Sequence, residues 1–243
     1  MSDEVDGATA PTNPLHAPKR FGRDSVEFGR TAGFFDATFA IAATLLVVTL
    51  APEAANWSDW SKFIEAEWSS LLSFVISFVV ICAYWWANHR LVATLDTMST
   101  RFVGFGLVML GFVVLLPFTT GGLGDVDNTS SGEVAAVGYA LNVALVSLST
   151  MVLAVVADRE GLYRRAPTRD QLRGKLIGQI DTPVVFLLSI PVTLLISPAW
   201  GRYSWLLLAV TGGIVGRLGH RIAGDEPPSA RKGAGAARAR ISR

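Results

Sequence analysis

Arg30 and Asp36 stand six residues apart at the mouth of a long apolar run, and His89 ends a second run within YWWANHR, residues 84–90. A guanidinium fork, a carboxylate and an imidazole at one depth carry the donors and acceptors to satisfy one another, with Trp85 or Trp86 covering them. Ionisable groups at such a depth are costly without a partner or a water-filled cavity. The competing reading is a set of separate headgroup contacts, because Trp, Tyr and Arg are common at membrane interfaces.

A second pattern lies in the first run. At about 3.6 residues per turn, Ile41, Leu45 and Val48 fall at i, i+4 and i+7, with Thr44 at i+3, so they share one helix face. Ala37 and Thr38 extend that face toward the charged end, while Ala40, Ala43 and Val47 lie opposite. By periodicity alone such a stripe is ordinary packing or lipid contact. A pore would need several copies of it around an axis.

The elements that must position these residues are membrane spans. The chain has 243 residues, 51% hydrophobic and only 17% charged, against about a quarter charged in a soluble domain. Charges cluster between long uncharged runs, the pattern of an all-α polytopic membrane protein. Six runs, near 33–51, 69–88, 102–121, 134–157, 177–197 and 203–222, reach the roughly 20 residues needed to cross about 30 Å of hydrocarbon. The fifth carries Asp181, Pro183 and Pro191, which predict a kink or a late start. The first is completed by the turn holding Arg30 if that turn is buried among other helices. The leader before it is too long for a secretory signal, so the first run reads as a retained span.

Placing both termini in the cytoplasm puts 19 of the 21 Lys and Arg residues on that side and leaves Lys62 and Arg202 outside. The positive-inside rule makes that split decisive, and it supports an even number of spans. The outer loops are acidic instead. Domain organisation is then a disordered cytoplasmic leader at 1–29, a six-helix transmembrane domain at 30–222 and a basic disordered tail at 223–243, which either touches anionic headgroups or is simply solvated.

The net charge of +1 gives no reason to expect a nucleic-acid partner, and the single cysteine, Cys82, precludes an internal disulfide or a cysteine-based metal site. His16, His89 and His220 make no zinc spacing, and no nucleophile–base pair or phosphate loop specifies an enzyme. Asn142 is placed to hydrogen-bond a neighbouring helix. Gly104, Gly106 and Gly111, and Gly212, Gly213 and Gly216, permit close packing, and Asp181 reads as a cap or a buried site.

Arg30-x-x-x-Phe34-Phe35-Asp36, followed by Phe39-Ala40-Ile41 and Thr44-Leu45-Leu46, resembles the first-span signature of the endosomal and lysosomal potassium channels called transmembrane protein 175, most closely their bacterial branch. The Trp85/Trp86…His89 stretch is similar to that family's aromatic–histidine segment. The resemblance implies a homotetramer of six-helix subunits in a bacterial inner membrane, with four first spans around a central pore and potassium as the permeating ion rather than any cofactor. It maps Ile41, Leu45 and Val48 onto hydrophobic constriction rings and Thr44 onto the hydroxyl ring linked to cation preference. Arg30, Phe34, Asp36, Trp85 and His89 map onto the network that holds the pore helix. Two positions depart from the signature. Phe35 replaces the family serine, which implies different wiring of the network, and Val48 stands where leucine is common. A secondary transporter built on the proline-broken fifth run and Asp181, or a membrane protein without transport, are the competing functions.

The topology has a direct test. In a Cys82→Ser background, Asp127→Cys is expected to label from outside and Arg165→Cys from inside with an impermeant thiol reagent; the reverse at both sites refutes the orientation.

Overall fold

The fold is taken from a computed structural model, which describes residues 19–50, 59–123 and 129–222. A two-stranded antiparallel pin closes one end of the molecule. β1 (Arg20–Gly22) pairs with β2 (Thr97–Ser99) in the register Arg20↔Ser99, Phe21↔Met98 and Gly22↔Thr97. The first helix, α1 (Val26–Leu45), follows at once. Ser25 Oγ accepts the Phe28 N–H at 3.2 Å and so caps its N-terminus. The stretch expected as a disordered leader therefore contributes a strand and the first turn of α1 over residues 20–29; its earlier part, and the expected tail at 223–243, lie outside the described residues.

Helix α2 (Trp60–Ala93) has 34 residues and is capped by Asp59, which accepts the Ser61 N–H at 2.9 Å. It is about 50 Å long at roughly 1.5 Å per residue, so its ends project beyond the hydrocarbon. Helix α3 (Thr100–Gly121) starts at the Ser99 cap that ends β2, and α4 (Thr129–Arg159) packs along it. Just past α4, Gly161 takes φ 61, the left-handed conformation only glycine adopts cheaply. The Leu162 N–H then closes the helix end on the Ala157 carbonyl at 2.9 Å.

The fifth run is divided. A polar helix, α5 (Arg169–Ile177), opens with a Thr168–Gln171 capping box and ends at Gly178, and α6 (Asp181–Leu195) starts late at Asp181, as the prolines predict. The chain then runs through α7 (Pro198–Ser204), a 3₁₀ turn at Trp205–Leu207 and α8 (Leu208–Ile222). Among the described residues, five helical stretches are long and apolar enough to cross a membrane: Val26–Thr49, Phe63–Ala93, Thr100–Gly121, Ser131–Arg159 and Arg169–Leu195. The sixth expected run, 203–222, is divided between α7, the 3₁₀ turn and α8. Alone, α8 is about 22 Å long.

Polar side chains fasten α2, α3 and α4 inside the apolar bundle. Thr120 Oγ1 donates to Ser77 Oγ at 2.8 Å, and Ser77 Oγ donates to Tyr139 Oη at 3.0 Å, all three being buried. Tyr139, Phe186 and Trp205 cluster with tilted rings at centroid distances of 4.8–5.9 Å, and Trp205 Nε1 donates to Ser189 Oγ at 2.8 Å. Asn142 meets α3 as expected, donating to Thr119 Oγ1 at 3.4 Å. Arg202, one of the two basic residues assigned to the outer side, is buried; its Nη1 donates to Ser69 Oγ at 2.6 Å and to the Leu123 carbonyl at 3.2 Å.

Of the six glycines singled out in the sequence, Gly106 makes the closest packing. The Phe35 ring lies on it, so a Cβ there would collide with ring carbon Cζ, whereas Gly104 and Gly111 have open space beside them. Gly212 lies beside the Asp181 carboxylate, which sits in the first turn of α6. Gly-to-Ala in a helix ordinarily stabilises by up to about 1 kcal/mol. Gly106→Ala is expected to do the reverse, lowering stability in detergent by about 1–3 kcal/mol through overpacking. Phe35→Leu in the same background should recover part of that loss, and thermal melts that show simple additivity would separate the two positions.

Candidate functional site

The first helix has two unlike faces. Phe28, Phe35, Phe39, Ala42 and Leu46 are buried against the rest of the chain. They fall within about 60° of one another at roughly 100° per residue, which makes this the anchoring face. Ile41, Leu45 and Val48 stand away from it and are 57%, 44% and 69% exposed. Thr44 is exposed too, and its Oγ1 donates to the Ile41 carbonyl at 2.8 Å. Ala40 is exposed and Ala43 half-buried against the core. The α-helix ends at Leu45, so Val48 belongs to the 3₁₀ turn Leu46–Thr49 and not to α1 itself.

The groups singled out for a polar network divide between the faces. Trp85 Nε1 donates to Asp36 Oδ1 at 2.9 Å, joining α1 to α2. The His89 ring lies 5.5 Å from Trp85 and 5.9 Å from Trp86 by centroid, nearly parallel to the latter. Asp36, Trp85 and His89 are thus brought together. Arg30 is not: it is exposed and makes no ion pair or hydrogen bond among the described residues. At about 100° per residue, Phe34, Ile41, Leu45 and Val48 all fall within roughly 60° of Arg30, on its side of the helix. Phe34 is 55% exposed there. Phe35 points to Gly106 on the anchoring face, away from Asp36.

A cleft of about 200 Å³ between α1 and α2 is lined by Asp36, His89, Asn88 and Arg23. Two of these residues were not singled out by sequence. Asn88 is buried with Oδ1 lacking a partner among the described residues. Arg23, which falls in the polar leader, donates from Nη1 to the Ala93 and Leu95 carbonyls at 3.1 and 2.9 Å. It therefore closes the C-terminal end of α2, where a cation also opposes the helix dipole favourably. A basic residue just before a capping serine is a weak signal, because its acceptors lie some seventy residues away in sequence.

Together the fold and this face define a class: a polytopic helical membrane protein whose first span has one anchored face and one uncovered face. The family model described as endosomal/lysosomal potassium channel TMEM175 matches residues 30–117. A potassium channel of Chamaesiphon minutus is 30% identical over 149 residues, covering 60% of this chain and 69% of that protein. A potassium channel of Streptomyces collinus is 29% identical over 129 residues, covering 52% of this chain and 63% of that relative, a little under two thirds of its length. The chain belongs to the TMEM175 family. The fold agrees: the crystal structure of a lysosomal potassium-selective channel TMEM175 homologue from Chamaesiphon minutus superposes with a TM-score of 0.66 at 24% identity, covering 78% of this chain and 98% of that one. Family and relatives are named as potassium channels and not as enzymes.

The Asp36–Trp85 bond has a charged acceptor, worth about 1.5–3 kcal/mol. Asp36→Ala and Trp85→Phe are each expected to destabilise the α1–α2 contact, and together by less than their sum, while Asp36→Asn keeps an acceptor and costs less. A double-mutant cycle read by thermal unfolding checks this; full additivity would mean the two groups do not interact.

Proposed function

We propose that the chain forms a potassium-permeable cation channel, with the uncovered faces of four first helices lining a central pore. The observation that carries this reading is the unpartnered apolar stripe Ile41–Leu45–Val48 on an otherwise anchored helix, with a hydroxyl set into it at Thr44. The family and its named relatives support the ion. Three apolar rings spaced along roughly 10 Å can gate by dewetting, since a narrow apolar tube expels water. Thr44 gives its proton to the helix backbone, so its oxygen turns lone pairs outward, the arrangement a cation prefers over an anion.

The assembly follows from the same face. Arg30, whose guanidinium has no partner among the described residues, lies on the uncovered side of α1 and takes its partner from a neighbouring copy. The sixth span is formed by α7, the 3₁₀ turn and α8 together, which returns the C-terminus to the cytoplasmic side and agrees with the basic split. The protein then sits in the cell membrane with both termini inside. Its partners are three further copies, the bilayer and the permeating potassium; neither cofactor nor nucleic acid takes part.

Flux of purified protein in liposomes separates this reading from its rivals: passive current supports it, while saturable coupled flux would favour a transporter centred on Asp181. Ile41→Ala or Leu45→Ala is expected to raise leak conductance, and Thr44→Val to change potassium-over-sodium preference more than assembly. Cysteines at 41, 45 and 48 should be blocked by a small aqueous thiol reagent during conduction and one at 43 should not. Equal protection at all four positions removes α1 from the pore wall.

A further inference from the structure

A cavity of about 540 Å³ opens at the end of the bundle that carries β1 and β2, far along the chain from the uncovered stripe of α1. Three cations line it, each from a different element: Arg90 from α2, Arg165 from the α4–α5 loop and Lys175 from α5. No Asp or Glu lines it among the described residues. Arg90 and Arg165 are exposed and Lys175 is half-buried, so the three together give the hollow a positive potential open to solvent. Three cations with no carboxylate in the lining favour an anion there.

The wall also carries groups that say what kind of anion. Gln179 Oε1 is buried at this site with no hydrogen-bond partner among the described residues, an acceptor waiting for a donor. Lys175 Nζ sits 5.7 Å over the Tyr163 ring, so the aromatic face holds the ammonium in place while its N–H donors remain available. Burial and the neighbouring Asp158 push the Tyr163 hydroxyl up to about 12. The fourth side is α8, which offers Gly216 and Gly219. Gly219 is pressed onto the α5 backbone at Gly174 and onto Gly178 just after it, whereas Gly216 has nothing within 4 Å of a would-be Cβ. The close crossing at Gly219 brings α8 up to the cavity, and the bare position at Gly216 leaves it open.

We propose that this cavity binds a phosphate ester bearing a neighbouring hydroxyl. Arg90 and Arg165 supply forked donors matched to phosphate oxygens, Lys175 adds a point charge, and Gln179 accepts from the hydroxyl. The volume lies in the range of small-ligand pockets. Two sources share this chemistry: a soluble nucleotide, whose hydroxyl is on the ribose, and a phosphatidylglycerol headgroup, whose hydroxyls are on the glycerol.

The test uses the full chain in nanodiscs, which leave both faces accessible, so the result does not depend on orientation or on conduction. ATP is titrated calorimetrically into phosphatidylcholine discs, and thermal stability is compared between phosphatidylcholine discs and discs containing phosphatidylglycerol. Binding of ATP assigns the soluble source; stabilisation by phosphatidylglycerol without ATP binding assigns the lipid. Whichever ligand binds, the combined Arg90→Gln, Arg165→Gln and Lys175→Gln variant should lose affinity by about tenfold or more. Gly216→Leu, which fills the hollow without changing charge, should do the same. Arg159→Gln, at the same end but outside the cavity, should stay within about twofold. Response to neither ligand, or equal response in the wild type and both cavity variants, overturns the proposal. Potassium flux measured on the same protein reports separately on the channel reading.

Discussion

Everything about the first helix follows from its being held by one face and one flank, with the opposite face left uncovered. Inside a bilayer, apolar side chains gain nothing by leaving lipid for protein, so helices associate through close packing and interhelical hydrogen bonds. The anchoring face meets that demand by shape: Phe35 is driven over Gly106, where the missing Cβ lets a ring approach the α3 backbone. The Asp36–Trp85 bond ties the flank of the same helix to α2. With two sides fixed, α1 cannot roll about its axis, and the stripe from Arg30 to Val48 is turned away from the rest of the chain.

That fixity depends on a rigid platform behind α1. The Thr120–Ser77–Tyr139 relay crosses α3, α2 and α4, and each member satisfies the next in a region without water. Sliding any one helix by a turn would strand hydroxyls in a dry interior, at a cost of a few kcal/mol. The relay therefore sets register, where apolar packing alone would tolerate slippage. Arg202 plays a similar part close by at the same end, gathering Ser69 of α2 and the Leu123 carbonyl after α3 around one guanidinium.

The spans were readable in sequence because the bilayer imposes length and apolarity on each helix separately. The division of 203–222 was not, since Trp205–Leu207 is as apolar as its surroundings and only tertiary packing of Trp205 explains the 3₁₀ turn. Inside the expected leader, Ser25 caps α1, and β1 depends on a partner strand nearly eighty residues away. The candidate network shows the limit of depth arguments. Arg30 and Asp36 lie toward the same end of α1, yet their separation sets them about 9 Å apart along it and about 120° apart around it, so one faces outward and the other meets Trp85. Phe35 looked like a lost member of that network; one position before Asp36, it is turned about 100° away and became a packing wedge.

The end of α1 shows how a local change of helix type affects the stripe. In a continuous α-helix, the step from Leu45 to Val48 turns about 300°, which leaves Val48 roughly 60° from Leu45 and about 20° from Ile41. A 3₁₀ turn advances about 120° per residue, and side chains three apart eclipse. Because the helix tightens at Leu46–Thr49, Val48 moves back toward the azimuth of Leu45 while Leu46 keeps its buried place on the anchoring face. The larger 3₁₀ rise, about 2.0 Å per residue, also separates the two apolar levels further than an α-helix would. The spacing of four and then three keeps Ile41, Leu45 and Val48 within about 60° of one another in a continuous α-helix, and the 3₁₀ turn keeps Val48 on that face while setting it on the azimuth of Leu45, about 40° from Ile41.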